Sequence, residues 1–294
     1  MGNVIYPLWA ECPALTRALC VGYPAMSLAA KLLMSFEAGA SIMQTLFMNN
    51  VEMVLRLHLW ALGLSMFYSD MLGGGMQFIV GLFAVYMMMT MLPKREREIG
   101  STALLLWMLA LNAVLNTVYF AEMYTLSLIF QSNPMSYAQY RMSTNLGIWP
   151  LVLAVLTICM LGDPNGSTSF FGLLVIPNMW YPLALGALWC LFSGGIRWEL
   201  AAALAVGYAY PRFNLERYLP SPLLGGKIER NLSCCRAGRC AFLGASWIPA
   251  TSTPGYGTEA ADRRYAGLSD FGRTSGQTLT GGSSNGGGQS QGFA

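Results

Sequence analysis

Few side chains in this sequence are of types that could act together as a nucleophile and a base. A serine hydroxyl becomes an effective nucleophile only when a neighbouring base, most often a histidine, takes its proton. The single histidine, His58, lies far along the chain from Ser193, which stands in a Ser-Gly-Gly run between two apolar segments. Such a run is typical of a tight turn. The sequence therefore predicts no serine–histidine catalysis.

The acidic residues and the cysteines offer no better catalytic or metal-binding set. A pair of catalytic carboxylates in a membrane must lie inside apolar segments. The acids near such segments stand at their ends, and they are Asp70, Glu122, Asp163 and Glu199. The clustered cysteines, Cys234, Cys235 and Cys240, lack a second pair at zinc-ligand spacing, which leaves S-acylation and free thiols open. We expect no metal, no cofactor and no catalytic residue.

The composition is that of an integral membrane protein. Of 294 residues, 54% are apolar and only 11% are charged, whereas about a quarter of the residues in ordinary soluble domains are charged. The run from Asn165 to Ile196 carries no charged side chain, and it is longer than a soluble helix of ordinary size needs. The formal net charge of +3 is too small to indicate nucleic-acid binding.

Apolar segments of suitable length predict an all-α bundle of six transmembrane helices. The predicted spans are 15–34, 71–92, 99–121, 142–162, 170–192 and 197–211. Between the first two, residues 41–58 place apolar side chains at helical spacing and predict an amphipathic helix at the membrane surface. Glu52 and Arg56 in that helix are placed for an i,i+4 ion pair. Residues 122–141 are predicted to form a loop.

Three prolines fall within the predicted spans. Pro150 should kink the fourth span or mark its start. Pro177 and Pro182 should each remove a helical hydrogen bond, so that the fifth span bends. Bent spans occur in membrane proteins of every function, so the prolines alone identify none.

The C-terminal part of the chain differs from the rest. From Pro222 onward it is rich in Gly, Ser, Thr and Arg and poor in aliphatic residues, and such a segment cannot bury enough apolar surface to offset its ordering entropy. We therefore expect a membrane domain at 1–220 and a disordered tail at 221–294. Basic residues are concentrated after the second and the sixth spans, which predicts that both termini lie in the cytosol.

The last two spans and their flanks carry a recognisable order of motifs. In sequence, these are Asp163-Pro164, Phe170-Phe171-Gly172-Leu173-Leu174, Pro177, Pro182, Ala203-x-x-x-Gly207-Tyr208 and Leu219-Pro220. This order resembles that of the derlins, which are rhomboid-like pseudoproteases of endoplasmic-reticulum-associated degradation. Further matches are Pro13-Ala14-Leu15-Thr16-Arg17 at the start and Trp60, Ser65, Phe67 and Tyr68 in the first loop. The resemblance implies a rhomboid-like bundle in the endoplasmic-reticulum membrane.

The sequence departs from the family pattern at a few positions. Ala61 stands where derlins and rhomboids have an arginine after the tryptophan, and Tyr208 stands where derlins keep a histidine. The fourth span lacks the Gly-x-Ser-Gly turn of the rhomboid proteases. The resemblance therefore implies a protein without catalytic activity.

The resemblance also implies functional residues and partners. The helix-packing and lipid-groove residues are Trp60, Phe170, Phe171, Gly172, Pro177, Pro182, Ala203, Gly207 and Tyr208. A degenerate tail box for the cytosolic hexameric AAA ATPase is predicted at Phe271, Gly276 and Leu279. The other implied partners are misfolded proteins of the endoplasmic reticulum, a membrane ubiquitin ligase complex and the lipid bilayer. The chain would act alone or within a homo- or hetero-oligomer.

A mechanism is suggested by the length of the sixth span. Between Glu199 and Arg212 lie 12 uncharged residues, which as a helix cover about 18 Å of a roughly 30 Å hydrocarbon core. If both ends are fixed at the interfaces, the bilayer must thin locally. Such a patch, beside a polar-lined groove, would lower the barrier for moving misfolded polypeptide segments across the membrane. The alternative is that Trp198 lies deeper while Arg197 and Glu199 snorkel to the surface.

Two other classes of function stay open. A small-solute channel or transporter needs polar side chains inside its spans, and the candidates are Gln77, Asn112 and Asn116. An active rhomboid protease is opposed by the missing serine–histidine pair.

Overall fold

The structure is a computed structural model that describes residues 8–68, 71, 74–145, 147–170, 172, 174–231, 241–242 and 244–250. Within these residues the chain is mostly helical, as predicted, and two small antiparallel hairpins accompany the helices. The first helices in chain order are α1 (Ala14–Met34), α2 (Glu37–Phe47), α3 (Val51–Leu55), α4 (Trp60–Leu64), α5 (Gly75–Ile99) and α6 (Ser101–Ile129). A single 3-10 turn, Ser65–Phe67, follows α4.

The second half of the chain adds shorter helices and the hairpins. The helices are α7 (Pro134–Met142), α8 (Trp149–Leu161), α9 (Tyr181–Ser193), α10 (Trp198–Arg212) and α11 (Pro222–Asn231). The first hairpin pairs β1 (Ser167–Phe170) with β2 (Leu174–Pro177), and the second pairs β3 (Ala241–Phe242) with β4 (Ala245–Ser246). A second 3-10 turn, Leu215–Arg217, follows α10.

Among the described residues, two helices are by length and composition able to cross a membrane. They are Gln77–Ile99 within α5 and Ser101–Ile129, which is α6. The shorter helices α8 and α9 are also apolar. The arrangement of six spans stays a prediction.

The centre of the molecule is α8. Its residues from Trp149 to Ile158 are all buried, and it packs against α5, α6, α9 and α10. A helix that is apolar on every side has no face suited to water, so it lies inside the bundle. Pro150 stands at the second position of α8, which confirms the prediction that it marks the start of the helix and not the prediction of a kink. Proline is accommodated in the first turn of a helix.

The start of α1 is joined to α5 through a buried carboxylate. Pro13, at the cap position of α1, makes no side-chain hydrogen bond that would satisfy the first N–H groups. Glu96 of α5 takes this role: its Oε1 accepts from the Leu15 N–H at 3.0 Å and its Oε2 from the Thr16 N–H at 2.8 Å. Helix termini leave such donors unsatisfied, so Glu96 acts as a cap supplied by another helix.

The predicted bend in the fifth span is wrong. The apolar residues 170–177 form most of the β1–β2 hairpin rather than the first turns of a helix. Pro177 ends β2 and Pro182 stands in the first turn of α9, where its fixed φ angle suits the helix. Neither proline therefore interrupts a helix.

Two further boundaries differ from the predictions. The predicted loop at 122–141 is mostly helical, because α6 continues to Ile129 and α7 follows. The predicted helix at 41–58 is broken, because Asn50 caps a new helix by accepting from the Met53 N–H at 2.9 Å. The predicted ion pair between Glu52 and Arg56 is confirmed, with 2.6 Å between Oε1 and Nη2.

Two segments of the tail are folded, so the prediction of disorder is wrong for α11 and for the strap, which we define as residues 244–250. The strap pairs with the start of α6, where the Ser101 N–H donates to the Ile248 carbonyl at 2.8 Å. Glu229 of α11 is buried and accepts from the Ala250 N–H at 2.9 Å. These bonds join segments that are far apart in the sequence. The amino-acid composition of the tail therefore could not predict them.

Candidate functional site

A cleft of about 330 Å³ lies between α1, α5, α9 and the segments that precede α8 and α10. The cleft is lined by both polar and aromatic side chains. Those used below are Tyr68, Gln77, Trp149, Trp189, Arg197 and Glu199. It sits where α9 ends and α10 begins, so it faces one end of the bundle.

An aromatic cluster forms one wall of the cleft. Trp149 of α8 and Trp189 of α9 meet edge to face, with ring centroids 5.5 Å apart at 81°. Phe83 of α5 lies 5.5 Å from Trp149 and 6.2 Å from Trp189. Such pairs add to the energy of apolar burial and fix the rings relative to one another. The wall is therefore a rigid apolar surface that joins three helices.

Charged groups mark the rim of the cleft. Arg197 and Glu199 form an ion pair at the first turn of α10, with the Arg197 side chain 53% exposed and the Glu199 side chain 14% exposed. An acidic side chain at a helix N-terminus is favoured by the helix dipole. This pair fixes the start of α10 at a polar boundary.

The structure places the Ser193 hydroxyl and the His58 ring in different surroundings. Ser193 lines it, and the hydroxyl donates to the Cys190 and Gly195 carbonyls at 3.1 Å each. His58 stacks on Trp60 with ring centroids 4.8 Å apart, and it is absent from the described lining. Within the part of the chain that the structure describes, the Ser193 hydroxyl bonds to backbone carbonyls and not to His58.

Two asparagines of α6 hold the loop that borders the cleft. Asn116 donates to the Leu62 carbonyl at 2.7 Å and to the Ser65 hydroxyl at 2.8 Å, and Asn112 donates to the same two groups at 2.9 and 3.3 Å. The side-chain amide of Asn145 in turn donates to the side-chain Oδ1 of Asn116 at 2.7 Å. The five-residue helix α4 leaves carbonyls unsatisfied at its end, and these amides satisfy them.

The asparagine network sets the position of the cleft rim. The Ser65 carbonyl accepts from the Gly147 N–H at 3.1 Å, and both Tyr68 and Gly147 line the cleft. Irregular backbone at membrane depth is tolerated only where protein satisfies its polar groups. Asn112 and Asn116 are polar residues of the kind that could line a path for a solute. In the structure, their side-chain amides instead hold the loop after α4 in place. Their spacing of four residues, which places both on one helix face, is the signal in the sequence.

The predicted packing residues of the last span lie on the face of α10 that contacts α8. Ala203 is fully buried. Gly207 faces Thr157, and a Cβ atom at Gly207 would lie 2.5 Å from the Thr157 Cβ. Small residues at such positions let helix backbones approach closely.

Replacing Gly207 with alanine is expected to lower the free energy of unfolding by about 1–3 kcal/mol, because the added methyl group overlaps Thr157. The matched control is Gly22→Ala in α1, where a Cβ would meet no atom within 4 Å. Alanine there should raise stability by up to about 1 kcal/mol through helix propensity. Chemical unfolding in detergent micelles measures both, and equal effects of the two substitutions would contradict the packing argument.

The remaining predicted residues fall in two other places. At the far end of α9 and α10 from the cleft, Phe170 meets Tyr181 edge to face at 5.5 Å, Gly172 turns the hairpin with φ +76°, and the Tyr208 hydroxyl donates to the Met179 carbonyl. Near α2, the Trp60 indole donates to the Thr45 carbonyl at 3.1 Å. The predicted set is therefore not one site. Phe171, Phe271, Gly276 and Leu279 lie outside the described residues.

Comparison with known proteins finds no matching family model, curated protein or solved structure. The resemblance to derlins accordingly rests on the motifs of the sequence. The cleft, the asparagine network and the short helices around them are the features from which a function can be argued.

Proposed function

We propose that this chain is a non-catalytic, derlin-like component of endoplasmic-reticulum-associated degradation. It crosses the endoplasmic-reticulum membrane with six helices and has both termini in the cytosol. Its role is to help misfolded proteins pass through the membrane toward a ubiquitin ligase complex and a cytosolic AAA ATPase. The observation that carries this proposal is the shortness of the three adjacent helices α8, α9 and α10.

The helices α8 and α9 have 13 residues each and α10 has 15. At about 1.5 Å per residue they are about 20 and 22 Å long, against a hydrocarbon core of about 30 Å. The sequence predicted one short span, whereas the hairpin at 167–177 shortens α9 as well. On α9, Leu191 is 76% exposed and would contact the surrounding lipid. The apolar surface that this helix offers to the lipid is therefore only about 20 Å high.

A short apolar band beside a polar cleft suits the passage of polypeptide. Each unsatisfied backbone group in the hydrocarbon core costs several kcal/mol, so a thinner core lowers the barrier. The charged Arg197 side chain, which is 53% exposed and paired with Glu199, keeps the start of α10 at the interface. Because the cleft and the short band share α9 and α10, a crossing segment meets polar groups where the bilayer is thinnest.

The first test is the thickness of the bilayer around the reconstituted full chain. We expect the distance between headgroup layers beside α9 and α10 to be reduced by up to about 8 Å, the difference between the core and the length of α10. The double substitution Arg197→Leu and Glu199→Leu lengthens the apolar run and should restore the thickness. The control pair Glu52→Leu and Arg56→Leu removes the same charges elsewhere and should leave the thinning intact. Electron cryomicroscopy of lipid nanodiscs measures this distance.

The second test addresses the role in degradation. In cells that lack the chain, a misfolded reporter of the endoplasmic reticulum should persist longer, by about twofold or more if thinning removes even about 0.5 kcal/mol of the barrier. The wild-type chain should restore clearance, whereas the chain with leucine at 197 and 199 should not. Normal clearance in the absence of the chain would contradict the proposed role, and an unperturbed bilayer would contradict the mechanism.

A further inference from the structure

The hairpin formed by β1 and β2 exposes aliphatic residues at its tip. Phe170 pairs with Leu174, and Ser169 pairs with Val175. Leu174 is 63% exposed and Val175 is 73% exposed. Neighbouring residues of a strand point to opposite faces, so the tip is apolar and uncovered on both faces. A two-stranded hairpin is marginally stable in water by itself, which makes this exposure unfavourable in an aqueous setting.

The hairpin is held close to the ends of two apolar helices. Five residues, 162–166, separate it from α8, and three residues, 178–180, separate it from α9. Asn178 fixes its base, since the side-chain amide donates to the Asp163 carbonyl at 2.9 Å and the Oδ1 accepts from the Thr168 hydroxyl at 2.6 Å. If α8 and α9 lie within the bilayer, the hairpin lies at its surface.

The backbone of the hairpin limits how deep it can lie. The Asn178 N–H donates to the Gly166 carbonyl at 2.9 Å, and the alternation of an antiparallel ladder then turns the backbone groups of Ser169 and Val175 outward. Outward N–H and C=O groups need water or lipid headgroups. Aliphatic side chains on both faces need an apolar surrounding. The boundary between headgroups and acyl chains supplies both.

We propose that the β1–β2 hairpin inserts its tip into the interfacial layer of one leaflet, with Leu174 and Val175 among the upper acyl chains. A fluid lipid layer covers both faces of the tip at once, whereas a single protein surface covers one. Trp180, 54% exposed at the start of α9, is the type of residue that occupies the same layer. The proposal rests on the membrane placement in the proposed function and adds a lipid contact at the end of α9 remote from the cleft.

The test places an environment-sensitive fluorescent amino acid at Val175 by codon suppression in the full chain, which leaves the seven cysteines untouched. The matched position is Asn165, which is exposed at the base of the same hairpin. The chain is reconstituted into vesicles of neutral and anionic phospholipid. Quenching is measured with lipids that carry a nitroxide just below the headgroup or at the end of the acyl chain, and with iodide in the water.

At Val175 we expect the shallow nitroxide to quench at least about twofold more than the deep one, since an interfacial segment lies about 5–10 Å below the surface. Iodide should quench the probe at Asn165 more than the probe at Val175. Equal iodide quenching at both positions would overturn the proposal. Protection of Val175 from iodide and from both nitroxides would also overturn it, because a second copy or another protein would then cover the tip. Either negative result leaves the thickness measurement beside α10 unaffected.

Discussion

Replacing Glu96 with alanine is expected to lower the free energy of unfolding by about 3–5 kcal/mol, the range found when one partner of a buried charged contact is removed. The carboxylate is fully buried and accepts the Leu15 and Thr16 N–H groups, the Thr16 hydroxyl at 2.7 Å and the Ser101 hydroxyl at 2.6 Å. Alanine leaves these donors without their acceptor. No other residue among those described offers a carboxylate to them.

The glutamine variant separates hydrogen bonding from packing. Glu96→Gln keeps the shape of the side chain but turns an amide NH₂ toward donors, so we expect it to recover only a minor part of the loss. The control is Glu98→Ala on the same helix, where the side chain is 36% exposed and lies 3.5 Å from Arg95. Arg95 keeps a second carboxylate partner, Glu216, at 3.5 Å, so the loss should be about 0–1 kcal/mol. Chemical unfolding in detergent compares the three variants, and a glutamine variant as stable as the wild type would refute the capping role.

The sequence predicted those elements whose signal is local. Long apolar stretches located α5 and α6, and the i,i+4 spacing located the Glu52–Arg56 pair. Pro150 marked a helix start for the reason that proline usually does. Each of these features is determined by neighbouring residues, so a pattern along the chain contains it.

The features that were missed depend on partners distant in sequence. Residues 170–177 are uniformly apolar, and an apolar run of that length does not distinguish a strand from the start of a helix. Asn178, which donates to the Asp163 and Gly166 carbonyls, closes the base of the hairpin, and both partners precede the apolar run. The strap is likewise held by the buried Glu229. The composition of a Gly- and Ser-rich tail does not indicate such a contact.

The candidate site shows the same division. Ala203 and Gly207 were identified as packing residues from their spacing, and both lie against α8. The lining of the cleft was not predicted, because it comes from the helices α1, α5, α8, α9 and α10 and from connecting segments. The asparagines that position its rim were noticed only as polar residues in an apolar helix. Their partners are backbone carbonyls some 50 residues away in the chain. Every residue has a backbone carbonyl, so the sequence does not show which one an asparagine will bind.

Replacing Asn116 with leucine is expected to lower the free energy of unfolding by about 2–4 kcal/mol, because the buried Asn145 amide loses its acceptor and the Ser65 hydroxyl loses the closer of its two amide donors. Asn145 loses the acceptor for its side-chain amide, whereas the Leu62 carbonyl keeps its bond from Asn112 at 2.9 Å. The control Thr117→Ala removes only a hydroxyl that bonds the Ala113 carbonyl on the exposed side of α6, so its effect should stay within about 0.5 kcal/mol.

A variant with both Asn112 and Asn116 replaced by leucine tests whether the two asparagines hold the same loop together. Asn112→Leu alone should cost about 1 kcal/mol, since the Leu62 carbonyl and the Ser65 hydroxyl keep Asn116 and only the Gly63 carbonyl loses its amide donor at 3.1 Å. With both replaced, the partly buried Leu62 carbonyl loses both amide donors, so the loss should exceed the sum of the single losses by about 1 kcal/mol or more. Chemical unfolding measures this excess. Strictly additive losses would mean that each amide acts alone and that the rim of the cleft is held by other contacts.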